Sequence, residues 1–310
     1  MKLFKRILLV LAAFIVIAAI YNYPKLNIIS GFASKNLAST HYIADRLYAD
    51  IVESDNNVPL IKLAELERAN ENNVVTSLFG LMERESICRD GLGCVLINEE
   101  HELAPALKPN RSKVFTHASF PFGNDGIVRI PFDNVDYDLL EKAVDGAFSN
   151  PEVQKTRTVL VAYKNRLLTE RYAEGFDPNT PILGWSMAKS VLATIYGVLE
   201  HQGKIDMDYR PFKELELTET IGEDPRDVIT LDDLLRMSSG LDWDDDYTAI
   251  SDATKMLFLD ADMTQAQLNT DFDLNNHRKV WNYSSGTSNL LSGILRKKFK
   301  TYQEYLDFPL

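Results

Sequence analysis

The sequence predicts an α/β chain of the α+β kind, with an antiparallel sheet flanked by helices, and three stretches carry that prediction. In residues 184–203, Val191, Leu192, Ile195, Val198 and Leu199 recur at helical spacing, and Gly203 stands where a left-handed residue caps a helix. It reads as a buried helix. Residues 156–163 and 167–172 are β-rich runs joined by Lys164-Asn165-Arg166, which reads as a hairpin leading to that helix. Residues 136–148 form an amphipathic helix carrying Leu139, Leu140, Ala143 and Ala147.

From the N-terminus, Lys2, Lys5 and Arg6 precede an apolar run over 7–21 that contains no charge. A basic flank before an apolar core is an export signal. The run falls between a signal-peptide core and a comfortable membrane span in length. Ile20, Tyr21, Asn22, Tyr23 and Pro24 follow it rather than small residues, and the small-x-small candidate Gly31-Phe32-Ala33 lies too far downstream. Residues 1–22 are therefore expected to be an uncleaved transmembrane signal anchor. Its positive end would stay in the cytoplasm and the remainder would stand on the periplasmic or extracellular side.

Composition fits a folded domain: 310 residues, 45% hydrophobic and 10% aromatic. A formal net charge of -12 argues against nucleic acid and against acidic lipid surfaces as partners, since both call for a basic face. Cys88 and Cys94 bracket two glycines, and in an exported chain such a pair reads as a candidate small disulfide loop. The histidines (His41, His101, His117, His201, His277) show no ligand spacing, so no metal is assigned. Asp242, Asp244 and Asp246 alternate like the start of a calcium loop. The glycine at position six and the glutamate at position twelve are missing, and a solvated acidic loop is the reading.

Residues 23–130 say little about chemistry and read as a covering region. Within them 42–52, 60–70 and 74–84 have mixed helical character, followed by an irregular passage through Pro105, Pro109, Pro121 and Phe122. Residues 131–310 are the expected catalytic domain. At the start of its long helix Ser186 and Lys189 are three residues apart, so one turn puts hydroxyl and amine on the same face. A serine needs a base to become a nucleophile, and a lysine serves when burial and a helix N-terminus disfavour its charged form. Further on, Thr230 and Asp233 form a capping box for a short helix, and 281–295 is a polar turn opening into an apolar helix. That turn can aim Tyr283 and Ser285 into a cleft.

Gly184-Trp-Ser-Met-Ala-Lys, with Thr-Leu-Asp-Asp-Leu-Leu-Arg-Met-Ser-Ser-Gly-Leu at 230–241 and Tyr-Ser-Ser-Gly-Thr at 283–287, resembles the serine β-lactamase and penicillin-binding-protein superfamily. It is most similar to the class C-like branch with its 6-aminohexanoate-oligomer hydrolases and esterases. The resemblance covers roughly residues 150–310 as three ordered blocks. It implies that Ser186 is the acylated nucleophile, Lys189 its base and Tyr283 the residue that moves the proton toward the leaving group. Ser285 stands where many relatives have asparagine. Ser285 and Trp185 are the candidate substrate contacts, with Trp185 as cleft wall. The implied substrate is a small amide or ester, with no cofactor.

The family's third element, a Lys-Thr-Gly or His-x-Gly strand, lies beyond Leu310, so the domain is expected to be C-terminally incomplete, with little turnover of its own. Two other readings stand beside this one. Gly184-Trp-Ser186-Met-Ala188 is one residue from the nucleophile elbow of α/β-hydrolases, with Asp260 and His277 as the possible acid and base. A membrane-anchored binding protein on an inactive hydrolase fold is the non-enzyme alternative.

Overall fold

The computed structural model describes residues 23–98, 107–110, 115–120, 122–123, 125–127, 130–215, 217 and 223–308, with positions 6, 7, 10, 14, 16, 17 and 21 of the N-terminal run. Pro105 and Pro121 of the irregular passage, and most of the expected anchor at 1–22, lie outside the described residues. Among the described residues no helix is long and apolar enough to cross a membrane. The chain divides into two compact units, residues 1–110 with 183–310, and residues 111–182.

In the larger unit, helix α1 (Leu26–Tyr42) lies on a four-stranded antiparallel sheet, β1 (Ala64–Ala69), β2 (Asn73–Leu78), β3 (Leu81–Arg89) and β4 (Gly93–Leu96), in sequential order. The face α1 gives the sheet is made of small residues, Ser30, Gly31, Ala33, Ser34 and Ala38, all buried. Its hydroxyls are satisfied across the interface: Ser34 Oγ donates to the Val74 carbonyl (3.0 Å) and, its one proton so used, accepts from Ser86 Oγ (2.9 Å), and Thr76 Oγ1 donates to the Ser30 carbonyl (2.6 Å). Hydrogen bonding of buried polar groups avoids the 1–3 kcal/mol or so that each unpaired one costs. Short helix α2 (Tyr48–Glu53) adds Ile51 to the same small core.

These strands correct the mixed helical character expected for 60–70 and 74–84. Ala64-Glu-Leu-Glu-Arg-Ala69 has helix-forming composition, but the segment pairs with the β-branched run Val74-Val75-Thr76, and strand pairing outweighs local propensity. Phe79 and Gly80 both hold positive φ (54° and 69°), the geometry of a tight hairpin turn that matches strand twist. Cys88 and Cys94 are cross-strand partners on β3 and β4 and are bonded to each other.

The smaller unit carries helix α3 (Tyr137–Ala147) and the hairpin of β5 (Thr158–Tyr163) and β6 (Arg166–Tyr172). Both stand where the sequence predicts them. The Asp136 side chain accepts from the Leu139 N–H (2.9 Å) as N-cap, and Lys164 and Asn165 take the positive φ that a two-residue turn requires. Arg171 of β6 reaches Glu141 (2.7 Å) and Asp145 (2.5 Å) of α3.

The rest of the larger unit is helical: α4 (Ala188–His201), α5 (Leu231–Leu235), α6 (Asp252–Phe258), α7 (Met263–Leu268), α8 (Ser285–Lys297) and α9 (Tyr302–Asp307). The core lies between α4, α5 and α8, where Tyr196, Leu199, Ile229, Leu231, Leu234, Leu290, Leu291 and Ile294 are buried. The Tyr196 hydroxyl, wholly enclosed, donates to the Leu291 carbonyl (2.7 Å) and ties α4 to α8. Gly203 ends α4 at φ 65°, and the Thr230–Asp233 capping box starts α5. Helix α4 is not buried all round. Leu192, Ile195, Tyr196 and Leu199 form the stripe that meets the core, whereas Val191 (50% exposed) and Val198 fall on another face.

Candidate active site

Ser186 lies in a single helical turn, Trp185–Met187, that leads directly into α4. Lys189 follows in the first turn of α4, and its Nζ stands 3.1 Å from Ser186 Oγ. One turn of helix is enough to bring the two together, as their spacing requires. Trp185, beside the serine, takes a φ of 43°, a conformation that an aromatic residue adopts only when its surroundings enforce it. Its ring, 54% exposed, is stacked on Phe32 of α1 (centroids 6.0 Å apart) and meets the Tyr247 ring edge-on (6.3 Å).

The opposite wall is the start of α8. Ser284 caps it, accepting from the Thr287 N–H (2.8 Å) and donating to Gln267 Oε1 (2.6 Å). Gln267, fully enclosed, completes its own set by donating to the Asp242 carbonyl (3.1 Å) and to Thr270 Oγ1 (2.8 Å). Gly286 is required here by close approach: a Cβ would come within 2.4 Å of the Trp243 ring and 2.5 Å of Gln267 Oε1. The first turn of α8 therefore packs directly against Trp243 and Gln267, with no room for a side chain at position 286.

Ser285 Oγ receives Lys189 Nζ at 3.2 Å, lies 3.1 Å from the Tyr247 hydroxyl and 3.2 Å from Asp245 Oδ2. A hydroxyl has one proton, and a carboxylate can only accept, so Ser285 donates to Asp245 and accepts from Lys189 and Tyr247. Burial holds the Tyr247 hydroxyl above the usual phenol range, only partly offset by its bond to Ser285, so it keeps the proton it donates. With 5% of Ser285 exposed, all its hydrogen-bonding capacity is engaged. Asp245 also accepts from the Ser285 N–H (3.0 Å) and from Trp243 Nε1 (2.8 Å).

Tyr283 meets Lys189 through its ring, with Nζ 4.9 Å from the centroid, and its hydroxyl makes no hydrogen bond among the described residues. Lys189 likewise has no carboxylate within ion-pair reach among the described residues. Ser186, Lys189, Tyr283, Ser285 and Trp185 are thus brought together.

Two residues of the site were not singled out in the sequence. Asp245 belongs to the stretch read as a solvated acidic loop and Tyr247 directly follows it, and while Asp244 and Asp246 do face solvent, Asp245 turns inward. The signal was Trp243 two residues earlier, whose indole N–H requires an acceptor once the ring is buried. The α/β-hydrolase reading fails on geometry. His277 Nε2 lies 3.0 Å from Asp233 Oδ2, and neither His277 nor Asp260 meets Ser186; both sheets are antiparallel. Asp233 is also bonded by Arg278 Nε (2.6 Å) and by the Thr230 N–H (2.9 Å). Burial alone would raise its pKa, but these bonds override that and hold it well below the usual carboxylate range.

The Beta-lactamase family model matches residues 139–308, more than half of the chain. No curated protein matches it. A solved structure from Bacillus anthracis, assigned as a 6-aminohexanoate-dimer hydrolase, is 19% identical with a TM-score of 0.41. That match covers 49% of this chain and 42% of the other, so the chain spans less than half the length of that relative.

Proposed function

The chain belongs to the beta-lactamase family, a membership that suggests a hydrolase, and on that premise we propose a serine hydrolase that acts on an amide or ester through an acyl-enzyme. The observation that carries the reading is Lys189 Nζ at 3.1 Å from Ser186 Oγ, an amine at hydrogen-bond distance from an exposed hydroxyl. Ser186 Oγ attacks the substrate carbonyl carbon as its proton passes to Lys189 Nζ. The tetrahedral oxyanion is received by backbone N–H groups at the start of the helical segment, the Ser186 N–H among them. Collapse expels the leaving amine or alcohol, which takes up a proton from the Lys189 and Tyr283 side. Water then attacks the ester carbonyl, the acid departs and Ser186 recovers its proton.

Ser285 serves this scheme by positioning Lys189. Its remaining valences are taken by Asp245 and Tyr247, which fix the oxygen that Lys189 contacts. Intact-mass spectrometry after exposure to a fluorophosphonate tests the reading. The expected result is one covalent adduct that is lost in Ser186→Ala. An unmodified wild-type chain, or an adduct that survives the substitution, refutes it.

A further inference from the structure

Of the residues gathered at the site, Trp185 alone has a left-handed backbone, at φ 43°. A bulky side chain avoids that region because its Cβ then crowds the following carbonyl. Glycine stands one position earlier, where φ is an ordinary -79° and its freedom is not needed. The conformation of Trp185 is therefore held from outside the residue. It also matters to the site, because the torsions of residue 185 set the direction in which Ser186 leaves the chain.

The hold is aromatic. The indole lies on the Phe32 ring, with centroids 6.0 Å apart and planes 25° from parallel, and meets the Tyr247 ring edge-on at 6.3 Å. Phe32 is backed in turn. Its ring is 5.5 Å from that of Phe258 in α6, and Phe258 is buried, with its carbonyl accepting from Arg84 Nη1 of β3 (2.8 Å). Gly31, one residue before Phe32, packs so closely that a Cβ there would stand 3.0 Å from Leu96 of β4 and 3.5 Å from Phe258. Phe32 thus projects from a helix pinned to the sheet and has no room to retreat from the indole. On the other edge, Tyr247 contacts Ser285 Oγ, which receives Lys189 Nζ. Trp185 stands between the α1 frame and the hydroxyl network of the site, and all of these residues lie in the larger unit.

We propose that Phe32 is a positioning residue: it holds Trp185 in its left-handed conformation and so sets Ser186 at Lys189. Helix α1, which precedes the family-matched residues 139–308, is then part of the frame of the site and not merely a cover. The proposal rests on the serine-hydrolase reading for its catalytic meaning, but the contact itself can be read without it.

A double-mutant cycle on the full chain tests the positioning. At a temperature where circular dichroism shows the variants folded, Phe32→Ala should slow fluorophosphonate labelling of Ser186 roughly three- to tenfold, the range one aromatic pair contributes. In a Trp185→Gly background the left-handed backbone needs no brace, so adding Phe32→Ala should change the rate less than about twofold. Equal slowing in both backgrounds would mean that Phe32 acts only through the stability of α1, and it overturns the proposal. So does a Phe32→Ala chain that labels as fast as wild type. The contact is read separately by fluorine NMR of the chain made with 5-fluorotryptophan. The Trp185 resonance, assigned by its loss in Trp185→Phe, should shift in Phe32→Ala while that of buried Trp243 stays in place. An unmoved Trp185 resonance overturns the brace. If wild type takes no fluorophosphonate, the hydrolase reading fails, and the resonance still decides whether Phe32 holds Trp185.

Discussion

Replacing Gly286 by alanine sets two effects of opposite sign against each other. Alanine is the better helix former by up to about 1 kcal/mol in a helix interior, which alone would stabilise α8. The added methyl, however, would meet the Trp243 ring at 2.4 and 2.6 Å and Gln267 Oε1 at 2.5 Å, where ordinary contacts begin about 1 Å farther out. Neither neighbour has room to give. Trp243 is held by Asp245 and is buried, and Gln267 uses its amide on Asp242, Thr270 and Ser284. Overpacking of this kind costs about 1–3 kcal/mol. The net expectation is a loss of about 1–2 kcal/mol, which at the ~2–4 °C per kcal/mol of a chain this size lowers Tm by roughly 2–8 °C. Gly197→Ala is the internal control. It sits within α4 with nothing within 4 Å of its Cβ, so propensity acts alone and Tm should rise. Thermal denaturation followed by circular dichroism reads both variants. Because Trp243 shifts Asp245, and Asp245 holds Ser285, Gly286→Ala should also slow fluorophosphonate labelling of Ser186 at a temperature where it is folded. A Gly286→Ala chain that melts at or above wild type refutes the close-packing argument.

Two further outcomes follow from the core. Tyr196→Phe leaves the Leu291 carbonyl without its buried donor and should cost about 1–2 kcal/mol in urea denaturation, and an unchanged midpoint would show that the α4–α8 bond contributes nothing. Asp233 has a folded pKa held below its unfolded value of about 4, so its stabilisation is complete above that pH and is lost as pH falls through the folded value. Unfolding free energy should therefore drop more steeply below about pH 4 in wild type than in Asp233→Asn, and parallel curves would contradict the assignment.

The approach of Ser186 and Lys189 was legible because it is local. Ser186 and Lys189 are one helical turn apart, so sequence spacing alone fixes their approach, and the same holds for the Thr230–Asp233 cap and the turn at Lys164-Asn165. The four-stranded sheet was not legible. Residues 64–69 have the composition of a helix, and what makes them a strand is a partner, Val74-Val75-Thr76, whose pairing outweighs local propensity. Asp245 was hidden for a related reason: along the chain it is one aspartate among four, and only the burial of Trp243 beside α8 turns it toward Ser285. The sequence by itself determined which polar side chains meet within one turn, Lys189 and Ser186 among them, since that depends on residue type and near-neighbour spacing. Tertiary structure decided what surrounds them. Ser285 lies 96 residues from Lys189, and Phe32 of α1 meets Trp185 from far along the chain. Contacts of that range depend on burial and packing summed over whole elements, which no short window of sequence contains.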